Sequence, residues 1–224
     1  MKAPIFSAIY ALKNPQIILI TSDHGSLLAD LVHFLAKKLF VAEKAGAFGG
    51  LGQSLAWLRN GKMIVDVSEF SPRDLMFLIE NCSQCYFVLD WCMGPRAKAK
   101  TLEAWAALRS VRNPQSVKLI YNSDFAFGED FSKIKGLQVC SFGQNGEPDL
   151  RISDIIAGDK THFKANYNRK VWPVWMNGGS TAQEVGSVAA CLCLADIFGL
   201  NLVEMTQEFK YYTEFDRFRS VDNS

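Results

Sequence analysis

Apolar runs and amphipathic segments alternate along the first two thirds of the chain. Residues 16–21 (QIILIT) form a continuous run rich in β-branched side chains, which is typical of a strand buried on both faces. Across 26–40, apolar residues recur at helical spacing, which predicts a helix. A second strand is predicted at 62–68, and a second helix at 72–80 has proline near its first turn. This alternation is typical of parallel sheets flanked by helices.

The alternation continues as far as residue 122 and then changes. We predict strands at 86–90 and 117–121, with a helix at 101–112 between them. Short apolar segments joined by polar turns follow, which predicts antiparallel strands at 137–142, 150–156, 161–166 and 170–175. Two helices close the chain, at 181–198 and from 202 to about 211, and Gly199 ends the first of them.

The pattern therefore predicts one α/β domain over residues 1–224, with a mostly parallel, doubly wound sheet flanked by helices. Within it, residues 16–122 form a βαβ core of the nucleotide-binding kind, 137–176 a small antiparallel β appendage, and 181–211 the closing helices. At 224 residues, with 49% hydrophobic and 21% charged side chains, the chain can bury a core without crosslinks.

Charge and cysteine content narrow the possible partners and compartment. With 24 basic and 23 acidic side chains the net charge is +1, so we expect no nucleic-acid or membrane partner. The cysteines are scattered among apolar runs, and the Cys82/Cys85 pair has no nearby histidine to complete a zinc site. The apolar start of the chain is interrupted at Lys13 and Pro15, too early for a secretion signal. We therefore expect a cytoplasmic protein with reduced thiols.

The turn after the first strand is the first candidate site, because helix N-termini at this place bind phosphate groups. A phosphate-binding loop needs glycines for close backbone approach and a lysine for the β and γ phosphates. The turn has serines where that glycine and lysine are expected, and its aspartate repels a triphosphate. Alternatively, the aspartate or the second serine caps the helix. The residues of this turn are Thr21, Ser22, Asp23, His24, Gly25 and Ser26.

The segment ILITSDHGSLLADLVHFLAK resembles the ATP-binding central domain of the Mur ligases, whose pattern is I-T-G-T-N-G-K-T-T. Ile20, Thr21 and Gly25 match it, whereas the family's glycine falls on Ser22 and its lysine on Ser26. An ammonium about 4 Å from a phosphate oxygen contributes on the order of 4 kcal/mol at an effective dielectric near 20. The resemblance thus implies a degenerate nucleotide site that binds ATP weakly or stays vacant.

Other segments extend the resemblance in the same order along the chain. MIVDVSEFSPRDL places Asp66 on the family's metal-binding Glu, which makes Asp66 a possible magnesium ligand. FVLDWCMGPRAKAKTLEAWAALR places Asp90 on a family asparagine and Arg109 on the lysine that becomes carbamylated, and an arginine cannot bind a metal. KLIYNSDF places Asn122 and Asp124 on the family's N-A-D-D turn near the base and ribose of the nucleotide.

The last matching segment, WMNGGSTAQEVGSVAACLCLADIFGLNLVEM, places Thr181 and Glu184 on two family asparagines. The resemblance covers residues 17–219. Complete Mur ligases also have an N-terminal domain that holds the nucleotide-linked substrate and a C-terminal domain that brings the amino acid. We expect this chain to lack both.

These substitutions imply a noncatalytic Mur ligase-like domain, a pseudoenzyme that needs no cofactor and acts by protein–protein interaction. The alternative is an ATP-dependent amide-bond ligase or ATP-binding subunit, completed by a partner chain and using ATP and Mg²⁺. An unrelated doubly wound domain that binds a small ligand is a third possibility. The aromatic side chains either dock a partner or pack against the domain's own sheet. They are Phe209, Tyr212, Phe215 and Phe218 near the C-terminus, together with Trp172 and Trp175.

Overall fold

The computed structural model describes residues 16–22, 31–32, 55–58, 62–68, 70–90, 95–124, 131–177 and 181–211. These residues form one sheet of nine strands in the order β2-β3-β1-β4-β5-β6-β7-β8-β9. The strands are β1 Gln16–Ser22, β2 Leu55–Leu58, β3 Lys62–Asp66, β4 Gln84–Asp90, β5 Val117–Asn122, β6 Gln138–Gly143, β7 Leu150–Ile156, β8 Lys160–Tyr167 and β9 Lys170–Asn177.

Helices cover the parallel part of this sheet. They are α1 Pro72–Glu80, α2 Pro95–Ser110, α3 Ala182–Ile197 and α4 Leu202–Glu208, with 3-10 turns at Pro114–Ser116 and Phe209–Tyr211. Ser71 and Asp74 form a reciprocal capping box at the start of α1. Pro72 is the first residue of this helix, where its missing amide proton costs no helical hydrogen bond. None of the helices in the described ranges is both long and apolar enough to cross a lipid bilayer.

The parallel strands are buried on both faces, as their continuous apolar runs predict. Ile17 and Leu19 of β1 face a core formed with α1 and α2. Ile18 and Ile20 face the opposite core, which contains α3 and α4. Because successive side chains of a strand point to opposite faces, one run of four apolar residues serves both layers. The predicted α/β class with a mostly parallel, doubly wound sheet is confirmed.

The antiparallel part begins one strand later than the sequence suggests. β6 pairs in parallel with β5, so the predicted boundary of the appendage at residue 137 is wrong for this strand. β6 also pairs in parallel with β7, but only through Phe142 with Leu150 and Gly143 with Arg151. Because β7 starts beside the end of β6, a short connection is enough to join these two parallel strands. β7, β8 and β9 then pair in antiparallel fashion and continue the same sheet.

Two further elements differ from the sequence expectation. β2 pairs in antiparallel fashion with β3, although no strand was expected there. Its sequence LAWL has no β-branched residue and follows a glycine-rich segment. Helix α2 begins at Pro95, earlier than the predicted start at 101. The segment PRAKAK lacks the apolar periodicity by which the helix was recognised.

Two polar contacts attach α3 to the sheet. The Ser187 hydroxyl donates to the Asp90 carboxylate at the end of β4 over 2.9 Å, and both side chains are buried. The Tyr167 hydroxyl at the end of β8 donates to the Asp196 carboxylate over 2.7 Å. These contacts hold α3 against both the parallel and the antiparallel strands.

We expect Ser187→Ala to lower the free energy of unfolding by about 1–3 kcal/mol, because the buried Asp90 carboxylate loses a donor. The matched control is Ser110→Ala, since the exposed Ser110 hydroxyl donates only to a carbonyl of its own helix. That control should change stability by no more than about 0.5 kcal/mol. Denaturant unfolding followed by circular dichroism measures both variants, and equal effects would contradict the buried contact.

Tyr167→Phe should lower the free energy of unfolding near neutral pH. In the variant, this free energy should also fall less than in the wild type as the pH becomes alkaline. Burial, and then the hydrogen bond and negative charge of Asp196, raise the pKa of the Tyr167 phenol above its ordinary value of 10.0. The folded state therefore keeps this proton longer, so the stabilisation is complete below pH 10 and falls as pH rises further. The difference in unfolding free energy between wild type and Tyr167→Phe should stay constant from about pH 7 to 9 and shrink above about pH 10.

Urea unfolding across this pH range measures the difference, with Tyr211→Phe as the control because Tyr211 is 69% exposed. A difference that grows with alkalinity would refute the assigned bond.

Candidate functional site

The candidate crevice lies at the carboxyl edge of the sheet, between β1 and β4. The chain leaves β1 towards β3 on one side and leaves β4 towards β5 on the other. Ligands of open α/β sheets bind where connections diverge in this way. Ser22 and Asp90 are register partners at this point. The position predicted from the sequence is thus a topological switch point of the sheet.

The predicted phosphate-binding turn is only partly described. Thr21 is buried in β1, beside Leu89 of β4, and Ser22 is the last residue of β1. Its other members, Asp23, His24, Gly25 and Ser26, lie outside the described residues. The prediction that this turn forms a degenerate nucleotide site stays a prediction.

Asp90 is the most deeply placed charged group at this edge. Its carboxylate accepts from Ser187 and lies under the first turns of α3. A Cβ at Gly186 would lie 3.3 Å from Asp90 Oδ1 and 3.9 Å from Asn122 Nδ2, so glycine allows the helix to approach closely. Burial, followed by the negative charge of Asp90, raises the pKa of the Cys191 thiol in α3. The site therefore contains a buried carboxylate covered by a helix.

Sequence reasoning did not include Asp90, Gly186 or Ser187 among the nucleotide-site residues. The available signal was weak: Asp90 ends an apolar run, and the Gly-Ser pair interrupts an apolar helix.

Asn122 and Asp124 lie at the same edge, and both are engaged by the protein itself; their assignment to a nucleotide site stays a prediction. The buried Asn122 Oδ1 accepts from the Asp124 amide over 3.1 Å. The Asp124 carboxylate accepts from the amides of Gln144 and Asn145, with distances between 2.8 and 3.1 Å. A Cβ at Gly143 would lie 2.6 Å from Ser123 Oγ and 2.8 Å from Asp124 Oδ1, so a larger residue would have to displace these side chains. Asp124 therefore orders the turn after β6.

Asp66 ends β3 and is half-buried. Its Oδ1 accepts from the Ser68 amide over 2.9 Å and from the Ser68 hydroxyl over 2.7 Å. β1 lies between β3 and β4, so the backbones of Asp66 and Asp90 are at least about 10 Å apart.

The described residues do not bring together the ligands of a metal site. No three His, Cys, Asp or Glu side chains within the described ranges lie close enough together to hold a metal ion. Among the described residues at this edge, only Asp66 occupies a position that matches a metal-binding residue of the Mur ligases. One carboxylate alone does not make a magnesium site. The assignment of Asp66 as a possible ligand stays a prediction.

Arg109 lies far from the crevice. It is exposed near the end of α2, roughly 20 Å along the axis from the first turn of that helix. Its guanidinium carbon lies 5.1 Å from the centre of the Trp105 ring, in a cation–π contact. The position that the resemblance assigned to a metal-binding lysine therefore has a surface packing role here.

Thr181 and Glu184, the two positions that fall on family asparagines, cap α3. The Glu184 carboxylate accepts from the Thr181 amide over 2.6 Å, and Thr181 Oγ1 accepts from the Glu184 amide over 3.2 Å. This capping box satisfies amides at the helix start. It explains how α3 begins without the family's residues.

The aromatic candidates separate into distinct environments. Phe209 is fully buried in the core with α3, so its assignment to a docking surface is wrong. Met205 and Phe209 are one helical turn apart and face the same core. Trp172 is half-buried, and Trp175 is 46% exposed. Tyr212, Phe215 and Phe218 lie outside the described residues.

The described cysteines are free thiols, as expected. Burial, and then a hydrogen bond with Cys82, raise the pKa of the Cys85 thiol. Because the thiolate is the reactive form, Cys85 is poorly suited to nucleophilic chemistry.

No protein-family model and no curated protein matches the sequence. Solved structures do match. The MurF ligase from Thermotoga maritima in complex with ADP has a TM-score of 0.62 at 12% identity, over 87% of this chain and 48% of that one. MurF from Acinetobacter baumannii has a TM-score of 0.68 at 13% identity, over 91% of this chain and 47% of that one.

A third match is the UDP-N-acetylmuramate:L-alanyl-gamma-D-glutamyl-meso-diaminopimelate ligase from Neisseria meningitides. Its TM-score is 0.65 at 11% identity, over 94% of this chain and 70% of that one. The chain thus spans about half the length of the MurF proteins it matches. At these identities the likeness concerns the fold alone, and this chain has a Mur ligase-like fold.

Proposed function

We propose that this chain is a noncatalytic domain that kept the Mur ligase-like fold and acts by binding another protein. The main support is the use of the edge carboxylates inside the protein. Asp90 binds Ser187, Asp124 binds the amides after β6, and Asp66 binds Ser68. Each of these internal hydrogen bonds orients the carboxylate towards the protein and takes up part of its capacity to accept hydrogen bonds from a ligand.

The charge of the edge also disfavours a triphosphate. Asp66, Asp90 and Asp124 all lie at the carboxyl ends of strands or directly after them. In the sequence, the turn after β1 adds Asp23 and has Ser26 where the Mur ligases have lysine. Like charges about 4 Å apart repel by on the order of 4 kcal/mol at an effective dielectric near 20. Tight ATP binding is therefore not expected.

A protein-binding role is supported by the opposite end of the sheet. The core beneath α1 and α2 contains no residue of β7, β8 or β9 among those described. Apolar side chains of these strands are exposed there, including Ile156, Val171 and Trp175. Exposed apolar side chains on an uncovered part of a sheet support an interaction surface there.

The ATP-dependent ligase remains the competing proposal, since one solved structure with this fold is in complex with ADP. In that case a partner chain would supply the missing cationic groups. The two proposals differ in their prediction for Mg-ATP binding.

We expect 1 mM Mg-ATP to leave the thermal unfolding midpoint of the chain unchanged within about 1 °C. A site with a Kd of about 10 µM would raise stability by about 2.7 kcal/mol at this concentration. For a domain of this size that corresponds to an increase of roughly 5–10 °C. Differential scanning fluorimetry resolves the two outcomes.

MgCl₂ alone and Asp66→Asn are the controls for this measurement. A shift that needs both Mg²⁺ and ATP and disappears in Asp66→Asn would overturn the noncatalytic proposal and support the ligase. Phosphate release, measured with the same samples, then tests turnover.

A further inference from the structure

A groove of about 590 Å³ runs along β9, the last strand of the sheet, beside α4 and the 3-10 turn that follows it. The residues that line it include Lys170, Val171, Pro173, Trp175, Val203 and Lys210. It is far from the crevice in strand order, because four strands, β5, β6, β7 and β8, lie between β4 and β9. The groove is therefore a separate surface.

The apolar part of the groove is solvent-exposed, and its tryptophan stacks on a neighbouring side chain. Val171 is 56% and Val203 is 53% exposed. The Trp175 ring stacks on His162 with 4.7 Å between ring centres, and these two residues are also register partners across β8 and β9. An exposed tryptophan whose orientation is already set loses little conformational entropy on binding, which suits it to anchor a partner.

The charged part of the groove is cationic. Lys170 and Lys210 are both exposed, and none of the described residues that line the groove is acidic. The carboxylate of nearby Glu204 accepts from the Asn201 side chain, which caps α4. A partner segment with carboxylates on both sides of an aromatic side chain matches this arrangement.

The backbone of β9 limits how such a segment binds. Pro173 lies in the middle of this edge strand and has no amide proton to donate. A peptide added as a continuous extra strand would lack a hydrogen bond there. Side-chain contacts with Trp175 and the lysines must therefore provide the recognition.

We propose that this groove binds an acidic peptide segment of another protein through an aromatic side chain. The aromatic ring packs on Trp175 between Val171 and Val203, and flanking carboxylates pair with Lys170 and Lys210. This inference rests on the proposed protein-binding function and specifies the chemistry of the partner.

Fluorescence anisotropy with the labelled peptide EEFEE tests it on the full chain. We expect saturable binding that weakens as salt rises, because exposed charge pairs are screened. Trp175→Ala should weaken binding about tenfold or more, as loss of an aromatic anchor does. Lys170→Glu combined with Lys210→Glu should do the same by charge reversal. The peptides EESEE and KKFKK should bind at least about tenfold more weakly.

Leu102→Ala and Lys135→Glu are the matched controls, since both residues are exposed on other parts of the surface. They should leave the affinity for EEFEE unchanged, and thermal unfolding checks that every variant is folded. Absence of saturable binding, or equal affinity in Trp175→Ala, would overturn the proposal. Preference for KKFKK or for labelled oligothymidine would also overturn it. Tighter peptide binding by a chain ending at Tyr211 would assign the groove to this chain's own C-terminal residues instead.

The same samples separate this inference from the proposed function. If EEFEE does not bind and Mg-ATP causes no thermal shift, the groove assignment fails while the noncatalytic proposal stands. If EEFEE binds and Mg-ATP also raises the unfolding midpoint, the groove assignment stands and the noncatalytic proposal fails.

Discussion

The buried Asp90 carboxylate and its bond to Ser187 determine how the last long helix lies on the sheet. A buried charge is costly unless hydrogen bonds satisfy it, so the helix must present a donor at this point. Gly186 supplies the space for that approach. Because β4 borders the switch point of the sheet, the same contact that anchors α3 also places a carboxylate where this fold class binds anions.

The sequence was informative where a single local pattern decides the structure. The apolar run at β1 serves two cores, and Pro72 after Ser71 marks the start of α1 correctly. It was not informative about strand direction. Short apolar segments look alike in parallel and antiparallel pairs, so β6 was assigned to the wrong part of the sheet. The overlap of β6 and β7 depends on the path of the chain, which no local pattern specifies.

The candidate site also combines features that the sequence predicted with features that it did not. Asn122 and Asp124 were placed correctly at the end of a strand, because side chains that follow parallel strands share one edge. The actual partners of Asp124 are backbone amides of Gln144 and Asn145, and backbone groups leave no sequence signature. Phe209 was misjudged for a related reason. Its position one turn after Met205 places it on the buried face, although its neighbours in sequence are polar and aromatic.

The side of the sheet that ends in β9 is exposed because of the place where β7 begins. Because β7 starts beside the last two residues of β6, the antiparallel strands extend past the part of the sheet that α1 and α2 cover. One face of β8 and β9 contributes Phe163 and Val174 to the core that also contains α3 and α4, and alternation sends Trp175 to the other face. The topology that closes the core therefore also leaves an apolar surface in solvent. That surface is the part of the fold on which the proposed docking role depends.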